Sequence, residues 1–310
     1  MALVLVCLLG STLFASAAPA SSNDRSTTRK VASFDVQQHG QRFWRRVART
    51  AKPLAGEVVR RQPTAARTSG ADDEVGTPYS VPPQAPTAPV APEAKRSTST
   101  RQRERVPSGR AAALPDPIPF TLSEIANVTA YPNVTHGKIF GEMVVDGARQ
   151  RFVCSGTIVS SQNQSTVATA GHCVYDPDES VGVSAISFAP GYRNEVAPFG
   201  FWEAEKVYST PRWTQSGDHR YDAAMLVIDQ GSRPDPIQET FGSRGISFNR
   251  SPLQMFDAYG YPAGPPFDGE KLWMCDSEQS VPDDNYPSTP VPPLGMGCDM
   301  TGGSSGGGWV

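Results

Sequence analysis

The chain has 310 residues, of which 38% are apolar and 29 are proline, with a formal net charge of −3. That length allows one large or two modest domains, and the proline content excludes a packed core running the whole length. The charge is divided: residues 24–110 carry 17 Lys and Arg against 8 Asp and Glu, whereas residues 111–310 carry 11 against 23.

Residues 1–20, MALVLVCLLGSTLFASAAPA, read as a signal peptide. The apolar run is short for a bilayer span and leads into small residues, with Ala-Ser-Ala ending at Ala17. A single anchoring helix is the alternative. No later segment is apolar enough to cross a membrane, so stable membrane insertion is not expected. Cys7 leaves with the signal peptide, and Cys154, Cys173, Cys275 and Cys298 remain to form disulfides in an oxidising, extracellular setting. Three pairings are open to them. Cys154 with Cys173 and Cys275 with Cys298 are favoured, because each pair brackets a segment that can return as a neighbouring strand. A zinc site built on His172 and Cys173 would need a second ligand pair at metal spacing, which the sequence lacks.

Residues 21–115 are expected to be a disordered, basic, Pro/Arg-rich pro-segment. Their proline-rich part, TPYSVPPQAPTAPVAPEAKRSTSTRQRERVPSGR, cannot bury enough apolar surface to order itself. Within Phe34 to Arg61, the composition around QRFWRRVART allows a basic amphipathic helix. Charge complementarity suggests that this basic segment lies against the acidic remainder and is cut at one of its arginines, Arg110 being a candidate. Nucleic acid is not an expected partner of an exported chain.

From residue 116 onward, short runs rich in Val, Ile, Thr and aromatics alternate with Gly, Pro, Asn and Asp. This pattern predicts strands over Gly137–Val145, Phe152–Ser160, Ser165–Ala170, Ser184–Phe188, Lys206–Ser209, Ala223–Ile228, Gln254–Tyr261 and Lys271–Cys275. Regularly spaced strands with turn signals imply an all-β sandwich or antiparallel barrel.

Three places in this region carry chemistry. Cys154-Ser-Gly-Thr is followed by Thr169-Ala-Gly-His172-Cys173, a strand pair that a disulfide could pin, with a histidine set beside it. Tyr221-Asp222 opens an apolar strand fifty residues after His172. Gly302-Gly-Ser-Ser305-Gly-Gly-Gly308 is a glycine-rich loop that lets the backbone turn tightly and aim two N–H groups at one point. Serine peptide hydrolysis needs a nucleophile, a base, a carboxylate to orient the base, and oxyanion donors. A nucleophile-elbow hydrolase would place its histidine last, and no histidine follows Ser305.

These motifs together resemble the trypsin and chymotrypsin superfamily, especially its secreted microbial branch that includes glutamyl endopeptidases. The resemblance covers roughly the last three-fifths of the chain. It implies two antiparallel six-stranded β-barrels, with His172, Asp222 and Ser305 as a catalytic triad and the Gly303 and Ser305 amides as the oxyanion hole. It also implies protein or peptide substrates, no cofactor, the chain's own pro-segment as a partner, and a monomer.

Three departures from the family pattern qualify it. Ser304 stands where trypsin-like zymogens carry an aspartate, which argues against activation by an amino-terminal ion pair and for removal of a covering pro-segment. Gly308 replaces a common proline. The sequence stops at Val310, so the second barrel is expected to be incomplete and the chain to be a fragment of a longer protein. Asp299, six residues before Ser305, has the spacing of the aspartate that attracts Lys or Arg in trypsin-like pockets, although Cys298 is displaced from the usual cysteine position. Acidic specificity is the alternative by resemblance. The competing functional reading is a non-catalytic binding protein that keeps the fold.

Overall fold

The computed structural model describes residues 31–54, 118–248, 250–251, 253–282 and 292–310. The signal peptide, Arg110 and the proline-rich stretch lie outside the described residues.

In chain order the amino-terminal part holds β1 (Ala32–Asp35), helix α1 (Gln41–Ala48), β2 (Lys52–Pro53) and β3 (Phe120–Glu124). There follow β4 (His136–Val145), β5 (Ala148–Val159), β6 (Thr166–Thr169), the short hairpin β7 (Tyr175–Asp176) and β8 (Val181–Gly182), and β9 (Ala185–Pro190). Next come β10 (Trp202–Ser209), α2 (Pro211–Ser216), β11 (Ala224–Ile228) and α3 (Ile237–Phe241). The last elements are β12 (Phe256–Gly260), β13 (Trp273–Ser277), β14 (Ser280–Pro282) and β15 (Leu294–Met296).

Strands β10, β11, β6, β5, β4 and β9 pair in that order, and β9 returns to pair with β10, closing a six-stranded antiparallel barrel. Closure requires strands to bend and tilt. β10 does so at a register shift between Ala204 and Lys206, the kind of irregularity that re-aims a strand. β4 lends one edge to β5 along its whole length and the other to β9. Its glycines make room for aromatic rings on the neighbouring strands: a Cβ on Gly141 would stand 2.1 Å from the Phe152 ring, and one on Gly137 2.4 Å from Phe188. The barrel interior is filled by Ile139, Phe152, Ile158, Val167, Phe188 and Leu226, all at most 1% exposed.

The second half is smaller. β12, β13 and β3 form an open three-stranded sheet, and β14 pairs with β15. The residues after Ser305 run antiparallel along β12: Asp257 and Val310 exchange backbone hydrogen bonds of 3.0 and 2.9 Å, and Ala258 bridges Trp309. The fold is thus one closed barrel with an unclosed partner. Between the halves, buried Lys138 on β4 reaches Glu270 at 3.1 Å, and the Tyr192 hydroxyl donates to the same carboxylate at 2.9 Å.

The expectation of disorder across 21–115 does not hold for residues 31–54. β1 extends the sheet along β10, β2 lies parallel to β5, and Trp44 and Val47 of α1 are fully buried. Composition averaged over 95 residues hid an 18-residue stretch (Phe34–Ala51) whose few apolar side chains suffice when a preformed wall is there to receive them. Among the described residues no helix is long and apolar enough to cross a membrane.

Candidate active site

The site begins at the register of β6 with β11. Thr169, at the end of β6, pairs with Ala224, at the start of β11. His172 lies three residues beyond the first and Asp222 two before the second, so the pairing delivers both to one rim of the barrel. A 3-10 turn over Gly171–Cys173 then fixes the histidine. Its backbone N–H donates to Asp222 Oδ1 at 2.8 Å, and its ring Nδ1 meets Asp222 Oδ2 at 2.7 Å.

Gly171 is required here by close approach. A Cβ would stand 2.8 Å from both Asp222 Oδ1 and the Trp213 ring. The disulfide Cys154–Cys173, with Cα atoms 6.4 Å apart, ties the turn to β5. Trp213 on α2 packs edge-on to the imidazole at 6.3 Å and anchors itself by donating from Nε1 to the Tyr175 carbonyl at 2.9 Å. Burial alone would raise the Asp222 carboxyl pKa. The hydrogen bonds and charge of His172 outweigh burial and hold it below the usual carboxylate range. An ionised Asp222 directs the Nδ1 proton toward itself and leaves Nε2 as the basic nitrogen.

The glycine-rich loop packs onto the same rim. The Ser155 amide donates to the Ser305 carbonyl at 2.8 Å, the Ser155 hydroxyl donates to the Gly303 carbonyl at 2.8 Å, and the same hydroxyl accepts from the Tyr261 amide at 2.8 Å. Gly303 and Gly306 both have positive φ, 101° and 79°. At Gly306 a Cβ would lie 2.2 Å from Thr169 Oγ1 and 2.5 Å from the Ala170 amide nitrogen. Ser304 is turned back on the loop, its hydroxyl donating to the Thr301 carbonyl at 2.8 Å. The second disulfide, Cys275–Cys298, joins β13 to the approach of the loop.

His172 and Asp222 are thus in direct contact, and the Ser305 loop is bonded to the strand that the first disulfide joins to His172. Asp299 is exposed. Ser155, Trp213 and Gly171 carry positioning roles that the sequence did not single out. Ser155 stood inside the Cys-Ser-Gly-Thr motif, but its partners are more than 100 residues away in sequence.

Cys154, His172 and Cys173 bring three potential ligand atoms within 4.8 Å of one another. Both sulfurs belong to the disulfide and His172 Nδ1 is held by Asp222, so this group does not fit a metal ion.

Comparison with known proteins places the chain among peptidases. The family Trypsin matches residues 136–245. The crystal structure of protease Anisep from Arthrobacter nicotinovorans is 34% identical, covers 61% of this chain and 80% of its own, and superposes with a TM-score of 0.53. A protein named extracellular metalloprotease from Bacillus subtilis is 42% identical over 76 residues, 24% of this chain and 23% of that protein. A glutamyl endopeptidase from Bacillus licheniformis is 27% identical over 131 residues, 42% of this chain and 36% of that protein. The chain therefore spans well under half the length of these two curated relatives.

Proposed function

From the premise that this chain belongs to the trypsin family of serine peptidases, we propose that it is a secreted serine endopeptidase acting through His172, Asp222 and Ser305. The observation that carries this reading is the two-point contact of the Asp222 carboxylate with the backbone and ring of His172. That contact fixes an imidazole on the rim where the Ser305 loop is bonded down.

In this reading His172 Nε2 takes the Ser305 hydroxyl proton as the oxygen attacks the scissile carbonyl. Asp222 holds the tautomer and stabilises the imidazolium as it forms. The Gly303 and Ser305 amides receive the negative charge on the carbonyl oxygen, a contribution of about 3 kcal/mol per donor. The imidazolium returns its proton to the leaving amine, and water then repeats the sequence to release the acyl group from Ser305. The steps use the three side chains, two backbone amides and water, and call for no cofactor.

Peptide and protein substrates are expected, the chain acts as a monomer, and export follows from the amino-terminal leader and the two disulfides. For the side chain recognised before the cut, acidic and basic residues are the two candidates, the first by likeness to the glutamyl endopeptidase and the second through Asp299. The test is hydrolysis of matched peptides carrying Glu or Arg at that position, by the parent chain and by Ser305→Ala. Cleavage that Ser305→Ala abolishes supports the mechanism, and the Glu to Arg rate ratio assigns the specificity. Cleavage by Ser305→Ala equal to the parent's contradicts it, and no cleavage by a folded parent favours a binding protein without catalysis.

A further inference from the structure

The amino-terminal segment is seated on the first barrel in a way that a disposable pro-segment does not need. β10 gives its edge to β9 only at Trp202 and Glu203, and along Lys206 to Ser209 that same edge is taken by β1. β5 pairs with β6 only from Thr157 to Val159, and at Phe152 and Val153 the vacated edge is taken by β2. The barrel therefore has two open half-edges, and residues 31–54 cover both. Uncovered strand edges are sites of unwanted pairing.

The bonding between these two strands is specific. The Glu203 carboxylate accepts from the His39 and Gly40 amides at 2.5 and 2.6 Å. Gln41 exchanges hydrogen bonds with the Phe201 backbone, donating at 2.6 Å and accepting at 2.8 Å. Trp44 and Val47 are 0% exposed and join Phe140, Val153, Tyr192 and Phe201 in a common core cluster. Phe34 stacks on Tyr175 at 5.4 Å, and Tyr175 is the residue whose carbonyl anchors Trp213 beside His172. The segment thus braces the histidine turn from behind.

We propose that residues 31–54 are a resident clasp of the first barrel, which stays bound as a second, non-covalent chain after the arginine-rich stretch between Arg60 and Arg110 is cut. Processing then severs the linker but retains the clasp. This inference concerns binding and stands apart from the peptidase reading.

The test uses the full chain in a Ser305→Ala background, with a site-specific endoprotease sequence replacing residues 98–104. After cutting, the two fragments are expected to elute together on a native sizing column and to separate only in denaturant, as read by intact mass. Separation under native conditions overturns the proposal. Trp44→Ala is expected to weaken the association on the order of 10²–10³-fold. Glu203→Gln, a milder change that keeps the fold if Trp44→Ala does not, is expected to weaken it measurably. If neither variant loosens the complex, association does not run through the clasp and the proposal fails.

Discussion

Acid should unfold this protein through His136 in particular. The ring is 1% exposed, lies parallel to Tyr259 at 4.1 Å, and meets Thr157 Oγ1 at 2.9 Å. Burial, with a smaller contribution from the Arg244 charge, pushes its pKa from 6.5 to about 3. The folded state thus keeps His136 neutral while the unfolded chain takes up a proton below pH 6.5. Its contribution to stability is complete above about pH 6.5 and falls by about 1.4 kcal/mol per pH unit until the folded value is reached. At pH 4.5 the loss is roughly 2–3 kcal/mol, a large part of a typical total of about 5–15 kcal/mol. Because a Cβ on Gly308 would lie 3.2 Å from this ring, loosening there also loosens the strand behind Ser305. Urea unfolding of the parent and of His136→Gln between pH 7.5 and 4.5 reads the effect. The variant is expected to be less stable at pH 7.5, with the gap closing by roughly 2–3 kcal/mol toward pH 4.5. Parallel stability curves would refute the reasoning.

Three further outcomes follow from the same geometry. Asp222→Asn should fold normally yet lower kcat about 10⁴-fold, measured by peptide hydrolysis with near-UV circular dichroism as the control; a loss under tenfold would remove Asp222 from the mechanism. Gly306→Ala should abolish nucleophile reactivity while leaving the first barrel's thermal transition visible, since the added methyl would collide with Thr169 and Ala170 at a positive φ. Glu270→Ala strands the ammonium of Lys138, whose side chain is 3% exposed. It should cost about 3 kcal/mol in urea unfolding, and an unchanged midpoint would show that the inter-half pair contributes nothing.

The first barrel was legible because runs rich in Val, Ile, Thr and aromatics are separated by turn residues: Asp146-Gly147 follows β4, Gly171 lies two residues after β6, and β9 ends at Pro190. The edges expected for the strands near Gly137, Phe152 and Ala223 lie within a few residues of β4, β5 and β11. His172 and Asp222 were singled out by the motifs around them; the pairing of Thr169 with Ala224, which brings both to one rim, had no signature in the sequence. Illegible were features that depend on a distant surface. α1 and its flanking strands fold only where β10 and β5 leave edges open. β3 precedes the first barrel in sequence but completes the sheet with β12 and β13, a long-range pairing with no local signature. Ser155 looked like part of a motif and proved to be the post to which the Ser305 loop is tied.

The proposed activity requires Ser305 to be an activated nucleophile served by His172. The most direct measurement is reaction of the folded, secreted chain with a fluorophosphonate, followed by mass mapping of the adduct, alongside Ser305→Ala and His172→Ala. The expected result is a single adduct on the peptide containing Ser305, absent from Ser305→Ala and slowed by several orders of magnitude in His172→Ala. An adduct elsewhere, or none on a chain shown to be folded, would contradict the account.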